Sequence, residues 1–265
     1  MQFTAISDNI STMNATDIRE LYEKDGYTIV RGVIDQDLVE EAREHIKWLI
    51  EKNPHLPPEG LDTFLVGDDP FWLRLVSDPR LLDCVEPIIG PNIALFASHY
   101  IAKPPKTGKA VGWHQDGSYW PLEPMVVTTV WLALDKVDEE NGCMYVLPGT
   151  QHERLRTTDE MHEAKETVLG NELDMSSFDL ETLTNICLEP GDISIHEATL
   201  VHGSNANTSD RWRRGLTIRY MPTTTKMTQW EHAGPWLLRG TAEGGANEYR
   251  AFPEFDATRH FSYRR

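Results

Sequence analysis

Cysteine is scarce. The 265 residues hold three, Cys84, Cys143 and Cys187, widely spaced and without a CxxC pair. That excludes a disulfide framework and a cysteine-built zinc site. Long apolar runs are missing too, and no stretch approaches the roughly 18 apolar residues of a membrane-spanning helix. The opening MQFTAISDNISTMNATD has no apolar centre, so no secretory leader is expected there. Positive charge is in short supply: 25 Lys and Arg against 42 Asp and Glu give a net charge of −17. Such a surface repels phosphate backbones and anionic lipid headgroups, so neither nucleic acid nor a membrane is an expected partner. A reducing, cytoplasmic setting fits these absences. No internal repeat or low-complexity tract interrupts the chain.

What is present reads as one globular domain, long enough to bury a full core. The first third is helical in pattern. Residues 16–25 carry Ile18, Leu21 and Tyr22 on one face, with Asp17 and Glu20 placed to cap. GYTIVRGVI reads as a strand ending near Val33. Asp35 can cap a second helix, in which Leu38, Ala42, Ile46, Leu49 and Ile50 recur at helical spacing. A proline-rich loop occupies 53–60, and residues 70–88 are helical again with a break at Pro79. From residue 92 the period changes. NIALFASHYIAK, VVTTVWLALDKV, CMYVLPGT, TNICLEP, DISIHEATLVHGS and RRGLTIRYMP are short β-type runs, separated by turn signals such as PPKTG, EENG and EPGD. The expected class is mainly β with flanking helices: helices over about 16–90 packed outside a two-sheet core over about 92–222. Residues 152–183 are polar, acidic and β-poor, and an insert of that kind is a lid or a disordered loop.

The stretch GWHQDGSYWPL, residues 112–122, holds a possible metal-binding pair. Strand residues two apart share a face, so His114 and Asp116 can aim a nitrogen and an oxygen at one point. A third ligand must come from elsewhere. His55, His152, His162 and His260 lie in polar segments. His45, close to a lysine, reads as a surface residue, and His99, in an apolar run, as a hydrogen-bonded core residue. His196 and His202 remain. They are an even number of residues apart, so periodicity does not rank them. Gly203 and Ser204 let the backbone crowd a ligand near His202, and Arg211, Arg213 and Arg214 follow soon after. His196, beside Glu197, reads as a neighbour of the site or a core residue. Two histidines and one carboxylate form the arrangement of non-haem iron(II) oxygenases. It holds the ion and leaves adjacent positions for a bidentate co-substrate and O₂.

WHQDGSYWPL, DEENGCMYVLPGTQH and EPGDISIHEATLVHGSNANTSDRWRRGLTIRYMP together resemble the phytanoyl-CoA dioxygenase family of iron(II)- and 2-oxoglutarate-dependent oxygenases. The resemblance spans roughly residues 16–221 and is densest over 98–221. It implies a double-stranded β-helix core (jelly-roll, cupin-like). It implies His114, Asp116 and His202 as iron ligands. It implies Arg213, eleven residues after His202, as the grip on the far carboxylate of 2-oxoglutarate. A guanidinium suits that task because it pairs bidentately with a carboxylate. By the same resemblance Ser204 helps hold the co-substrate and Trp131 borders it, with Lys103 and Thr129 as further candidates. Plain sheet packing is the alternative for Trp131 and Thr129. Arg211 and Arg214 are expected to be surface charges, and Arg219 lies further along the strand. Tyr119 and Trp120, directly after Asp116, are candidate walls of a substrate pocket, as are Trp230 and Trp236 in QWEHAGPWLLRG; core or lid packing is the alternative. The implied reaction is hydroxylation of an aliphatic C–H in a small molecule, with 2-oxoglutarate and O₂ consumed and succinate and CO₂ released. Halogenating relatives replace the aspartate by a small residue, so Asp116 favours hydroxylation. Desaturation, cyclisation or epimerisation at the same iron, a metal-binding jelly-roll without turnover, and a zinc hydrolase built on the same three ligands are the competing readings. The acidic insert argues against a large polyanion such as an acyl-CoA as substrate.

Overall fold

A computed structural model describes residues 13–229, 234–242 and 244–264. Helix α1 (Ala15–Asp25) starts from Asn14, whose side chain accepts from the Asp17 N–H while the Asp17 carboxylate accepts from the Asn14 N–H. The cap therefore sits upstream of the Asp17 and Glu20 pair that the sequence suggests, and Asp17 closes the capping box. Gly26 ends the helix at φ 78°, a left-handed conformation open to glycine, and turns the chain into β1 (Tyr27–Val30). Helix α2 (Gln36–Lys52) begins on the Asp35 cap. After β2 (Leu61–Asp62) and α3 (Thr63–Val66) come α4 (Pro70–Val76) and α5 (Pro79–Ile89). Each of the last two starts with an aspartate cap followed by proline, Asp69 before Pro70 and Asp78 before Pro79.

The chain then becomes predominantly β. It runs through β3 (Ile93–Tyr100), β4 (Val111–His114), β5 (Leu122–Glu123), β6 (Thr128–Ala133), β7 (Met144–Val146), β8 (His162–Ala164) and β9 (Gly170–Glu172). There follow β10 (Thr184–Ile186), β11 (Ile193–Glu197), β12 (His202–Ser204), β13 (Gly215–Pro222), β14 (Lys226–Met227) and β15 (Trp236–Arg239). The larger sheet has the order β1-β11-β6-β13-β3-β15, with β2 on β3, and the smaller has the order β10-β7-β12-β4. Both are antiparallel, and together they make a double-stranded β-helix. The larger sheet reaches outside the 92–222 core, because β1 pairs with β11 and β15 with β3.

Strand alternation divides the labour of the larger sheet. Val130, Leu132, Ile193, Ile195, Leu216 and Ile218 point to the helices and form one core with Leu38, Ala42, Ile46, Leu49, Phe71 and Trp72. Burying a large apolar side chain contributes roughly 1.5–3 kcal/mol. Their neighbours Thr129, Trp131, His196, Thr217 and Arg219 face the other way, into the space between the sheets. His45 corrects the sequence reading: it is completely buried, with Nδ1 2.9 Å from the Tyr100 hydroxyl and Nε2 3.5 Å from Asp69. The reason is helical geometry, since position 45 shares the inner stripe of α2 with Leu38, Ala42 and Leu49.

The insert over 152–183 contains the β8–β9 hairpin and several single 3₁₀ turns. It lies along β4. The N–H groups of Val168 and Leu173 donate to the carbonyls of Ala110 and Trp113 at 2.9 and 2.8 Å, and Leu173 is buried with Leu147 and Val201. Gln115 fastens its beginning. This completely buried side chain donates to the Thr199 carbonyl at 2.7 Å and accepts from the Arg156 N–H at 2.9 Å.

Candidate metal centre

Strands β4 and β12 are neighbours in the smaller sheet, and their register sets His114 opposite His202. Asp116 follows on a 3₁₀ turn that curls its carboxylate back toward the rings. Ligand atoms of the three buried side chains lie within 4.8 Å of one another, and the two ring centroids are 4.1 Å apart.

Each imidazole is oriented by its own backbone. His114 Nδ1 bonds the Gly112 carbonyl at 2.8 Å, and His202 Nδ1 bonds the Leu200 carbonyl at 2.9 Å. A carbonyl only accepts, so Nδ1 carries the proton and Nε2 presents its lone pair. Burial foremost, then the charges of His114 and His196, hold the His202 pKa well below its ordinary value against the pull of Asp116. His202 is therefore neutral. Burial pushes Asp116 the opposite way, but the close imidazoles of His114 and His196 and the positive charge of Arg219 outweigh it, and the carboxyl is held well below the ordinary range. Its two oxygens differ. Thr129 donates to Oδ2 at 2.9 Å and His196 Nε2 lies 3.4 Å from the same atom, whereas Oδ1 faces His114 Nε2 at 3.6 Å. Two imidazole nitrogens and an ionised carboxylate suit a divalent transition ion with open positions. Thr129, a candidate for touching the co-substrate, is engaged with Asp116 instead. His196 lies beside the site, as its surroundings in the sequence suggest.

These residues line a cavity of about 430 Å³ of atom-free space, its mouth included. At one end Arg213 is buried, with NH1 donating to the Gly142 carbonyl at 2.8 Å and NH2 to that of Ile101 at 3.4 Å. Its Nε has no hydrogen-bond partner, and its guanidinium lies 5.2 Å from the centroid of a Trp131 ring. Burial lowers its pKa to about 10. Gly215 makes room for that ring, because a Cβ there would run into it. Lys103 is completely buried at the same end, donating to Ser204 Oγ at 2.7 Å and to the Asn205 carbonyl. Burial first, then the Arg213 charge, bring its pKa down to about 5. The fold thus gathers Arg213, Trp131 and Ser204 at one end of the cavity, with Lys103 bonded to Ser204 behind them, and the unused N–H of Arg213 is there to receive a carboxylate.

The neighbouring arginines behave differently. Arg211 pairs with Asp138 and Arg214 with Asp135, both at 2.8 Å. Arg214 is mostly covered, not a free surface charge, since Asp135 holds it at Nε as well as at NH2. Arg219 lines the cavity, although the sequence reading left it out of the site. Its signal was the alternation 213, 215, 217, 219 along β13.

Among the candidate aromatic walls, Tyr119 donates to Asn171 of the insert at 2.7 Å, with its ring 6.3 Å from that of His114. Trp120 packs on Phe96 at 5.6 Å between centroids and lies 5.3 Å from the Arg219 guanidinium. Trp236 corrects the expectation. It is buried edge-on against Trp72 in the helix-side core, because β15 sets it opposite Leu95, which faces the helices. Trp230 lies outside the described residues.

An antiparallel double-stranded β-helix carrying an HxD…H triad in its mouth defines the non-haem iron oxygenases that use 2-oxoglutarate. Residues 22–215 match the family model described as phytanoyl-CoA dioxygenase (PhyH), and the chain belongs to that family. A probable phytanoyl-CoA dioxygenase of Caenorhabditis elegans is 28% identical over 230 residues, 76% of this chain and 73% of the relative. Among solved structures, the apo non-heme monooxygenase ThoJ superposes with a TM-score of 0.77 at 22% identity, covering 90% of this chain and 89% of its own. EctD from S. alaskensis, with 2-oxoglutarate and 5-hydroxyectoine, superposes with a TM-score of 0.66 at 19% identity, covering 94% and 92%. The protein is a 2-oxoglutarate-dependent iron dioxygenase, an oxidoreductase. No helix among the described residues is long and apolar enough to cross a membrane.

Proposed function

We propose that this dioxygenase hydroxylates an aliphatic C–H bond of a small organic molecule, with 2-oxoglutarate converted to succinate and CO₂. The reading is carried by one coincidence: an intact His114, Asp116 and His202 set shares a cavity with Arg213, a buried arginine whose Nε is unused. Iron(II) and 2-oxoglutarate, when bound, supply the oxidation of C–H by O₂. The chain's own residues position and polarise. Both imidazoles turn Nε2 to the site because a backbone carbonyl holds each Nδ1. Asp116 is already ionised, and because Thr129 and His196 occupy Oδ2, Oδ1 is the oxygen left for the metal. Arg213 is our choice for the far carboxylate of 2-oxoglutarate, since its planar fork matches a carboxylate and the Gly142 and Ile101 carbonyls hold it in place beside Trp131. Ser204 lines the same end, and Lys103 donates to its hydroxyl from behind.

A small-molecule substrate accords with the size of the cavity and with the occupant of the EctD structure. Asp116 leaves no gap among the protein ligands for a halide, which favours hydroxylation. The test is reconstitution with iron(II), ascorbate and 2-oxoglutarate, followed by succinate measurement and product mass across candidate small molecules. Succinate formed in step with a product heavier by one oxygen supports the proposal. A product lighter by two hydrogens means desaturation or ring closure. No succinate with any compound would favour a metal-binding module.

A further inference from the structure

Two arginines face the cavity, and the co-substrate accounts for one. Arg219 lies at the other end, on the same face of β13, and retains some accessible surface toward the space it lines. Its NH1 donates to Thr217 Oγ1 at 3.0 Å, and that hydroxyl in turn donates to the His99 carbonyl at 3.1 Å. Its Nε is buried without a partner. Among the described residues no acidic side chain lies within 4.0 Å of it. The carboxylate that acts on it electrostatically is Asp116, already a metal ligand. Arg211 and Arg214 show the contrast, since each has its own aspartate. A desolvated guanidinium without an anion is unfavourable, so an arriving anion would be bound strongly there.

The surroundings give the rest of that ligand. The half-buried Trp120 lies 5.3 Å from the guanidinium, backed by the buried apolar cluster of Phe96, Leu122, Val127 and Met221, so no second polar group competes from that side. His99 adds no second cation, because burial foremost, then the Arg219 charge, lower its pKa to about 4. One positive group fits one negative group. We infer that Arg219 receives a carboxylate of the substrate itself, so that the substrate is a small monocarboxylic acid. This rests on the function proposed above, which gives Arg213 to the co-substrate.

The test uses protein loaded with iron(II) and 2-oxoglutarate without oxygen. It is titrated calorimetrically with monocarboxylates, acetate, octanoate and benzoate among them, each beside its primary amide. Affinity for 2-oxoglutarate is measured separately. Acids should bind and their amides should bind about tenfold more weakly or worse. Arg219→Gln should weaken acid binding about 10- to 100-fold while leaving 2-oxoglutarate binding and the melting temperature near wild type, and Arg219→Lys should restore part of it. The inference is overturned if no acid binds, if amides bind as well as acids, or if Arg219→Gln binds acids normally. It is also overturned if that variant loses 2-oxoglutarate binding, which would place Arg219 with the co-substrate. Wild-type protein that does not bind 2-oxoglutarate would overturn the proposed function first, and this inference with it.

Discussion

The two oxygens of Asp116 have different duties, and that asymmetry can be tested atom by atom. Thr129 supplies a hydrogen bond to Oδ2, so Thr129→Val keeps the shape of a fully buried side chain and removes only the donor. Metal affinity should fall about 10- to 100-fold, measured by titrating iron(II) or a spectroscopic substitute into the apoprotein. Asp116→Ala removes the ligand itself and should lose more than that, both in metal bound and in succinate formed. The arginines separate in the same way. Arg213→Ala should raise the 2-oxoglutarate concentration for half-maximal turnover by about 10- to 100-fold. Arg214→Ala should leave that value near wild type, since Arg214 is committed to Asp135.

Elements explain both what could be read in advance and what could not. Each of the six β-type runs contains a strand, because alternating side chains and turn residues are local signals. Pairing is not local. His196 and His202 have the same parity, and no periodicity distinguishes them; they differ because β11 joins the larger sheet and β12 the smaller. The same blindness placed Trp236 near the pocket, when its pairing with β3 turns it toward the helices. Arg219 was passed over because it stands beyond the recognisable motif, although it shares a strand face with Arg213. The β8–β9 hairpin was invisible in so polar a segment, where no apolar alternation marks a strand. His45 was legible on the inner stripe of α2 and was obscured by the lysine nearby. Gly215 offers a test at this scale. Gly215→Ala should force the Trp131 ring aside, costing about 1–3 kcal/mol of stability and weakening 2-oxoglutarate binding, as read by melting and calorimetry.

The molecule as a whole should be sensitive to acid. Burial depresses the His45 pKa below its ordinary 6.5, against the pull of Asp69. Below that value the unfolded chain takes up a proton that the folded chain resists, so stability rises with pH there and is lost as pH falls. Asp69 extends the loss at lower pH. Burial pushes its carboxyl upward, but the bond to His45, the charge of that residue and two backbone N–H groups hold it below 3.8. Its share is present above that value and lost as pH falls through the depressed one. The melting temperature should therefore drop between about pH 7 and pH 5. His45→Gln should flatten part of the slope, with His99 and His202, also depressed, supplying the remainder.

Gln115 sits between His114 and Asp116, and its side chain reaches into the root of the insert. The amides of Arg156, Val168 and Leu173 should consequently exchange with deuterium at the slow pace of the sheet, although they belong to a polar, largely irregular stretch. Cutting that fastening with Gln115→Ala should speed the Arg156 amide first. The disturbance should then reach the imidazole of His114 next door, so that labelling of a surface loop reports on the iron pocket.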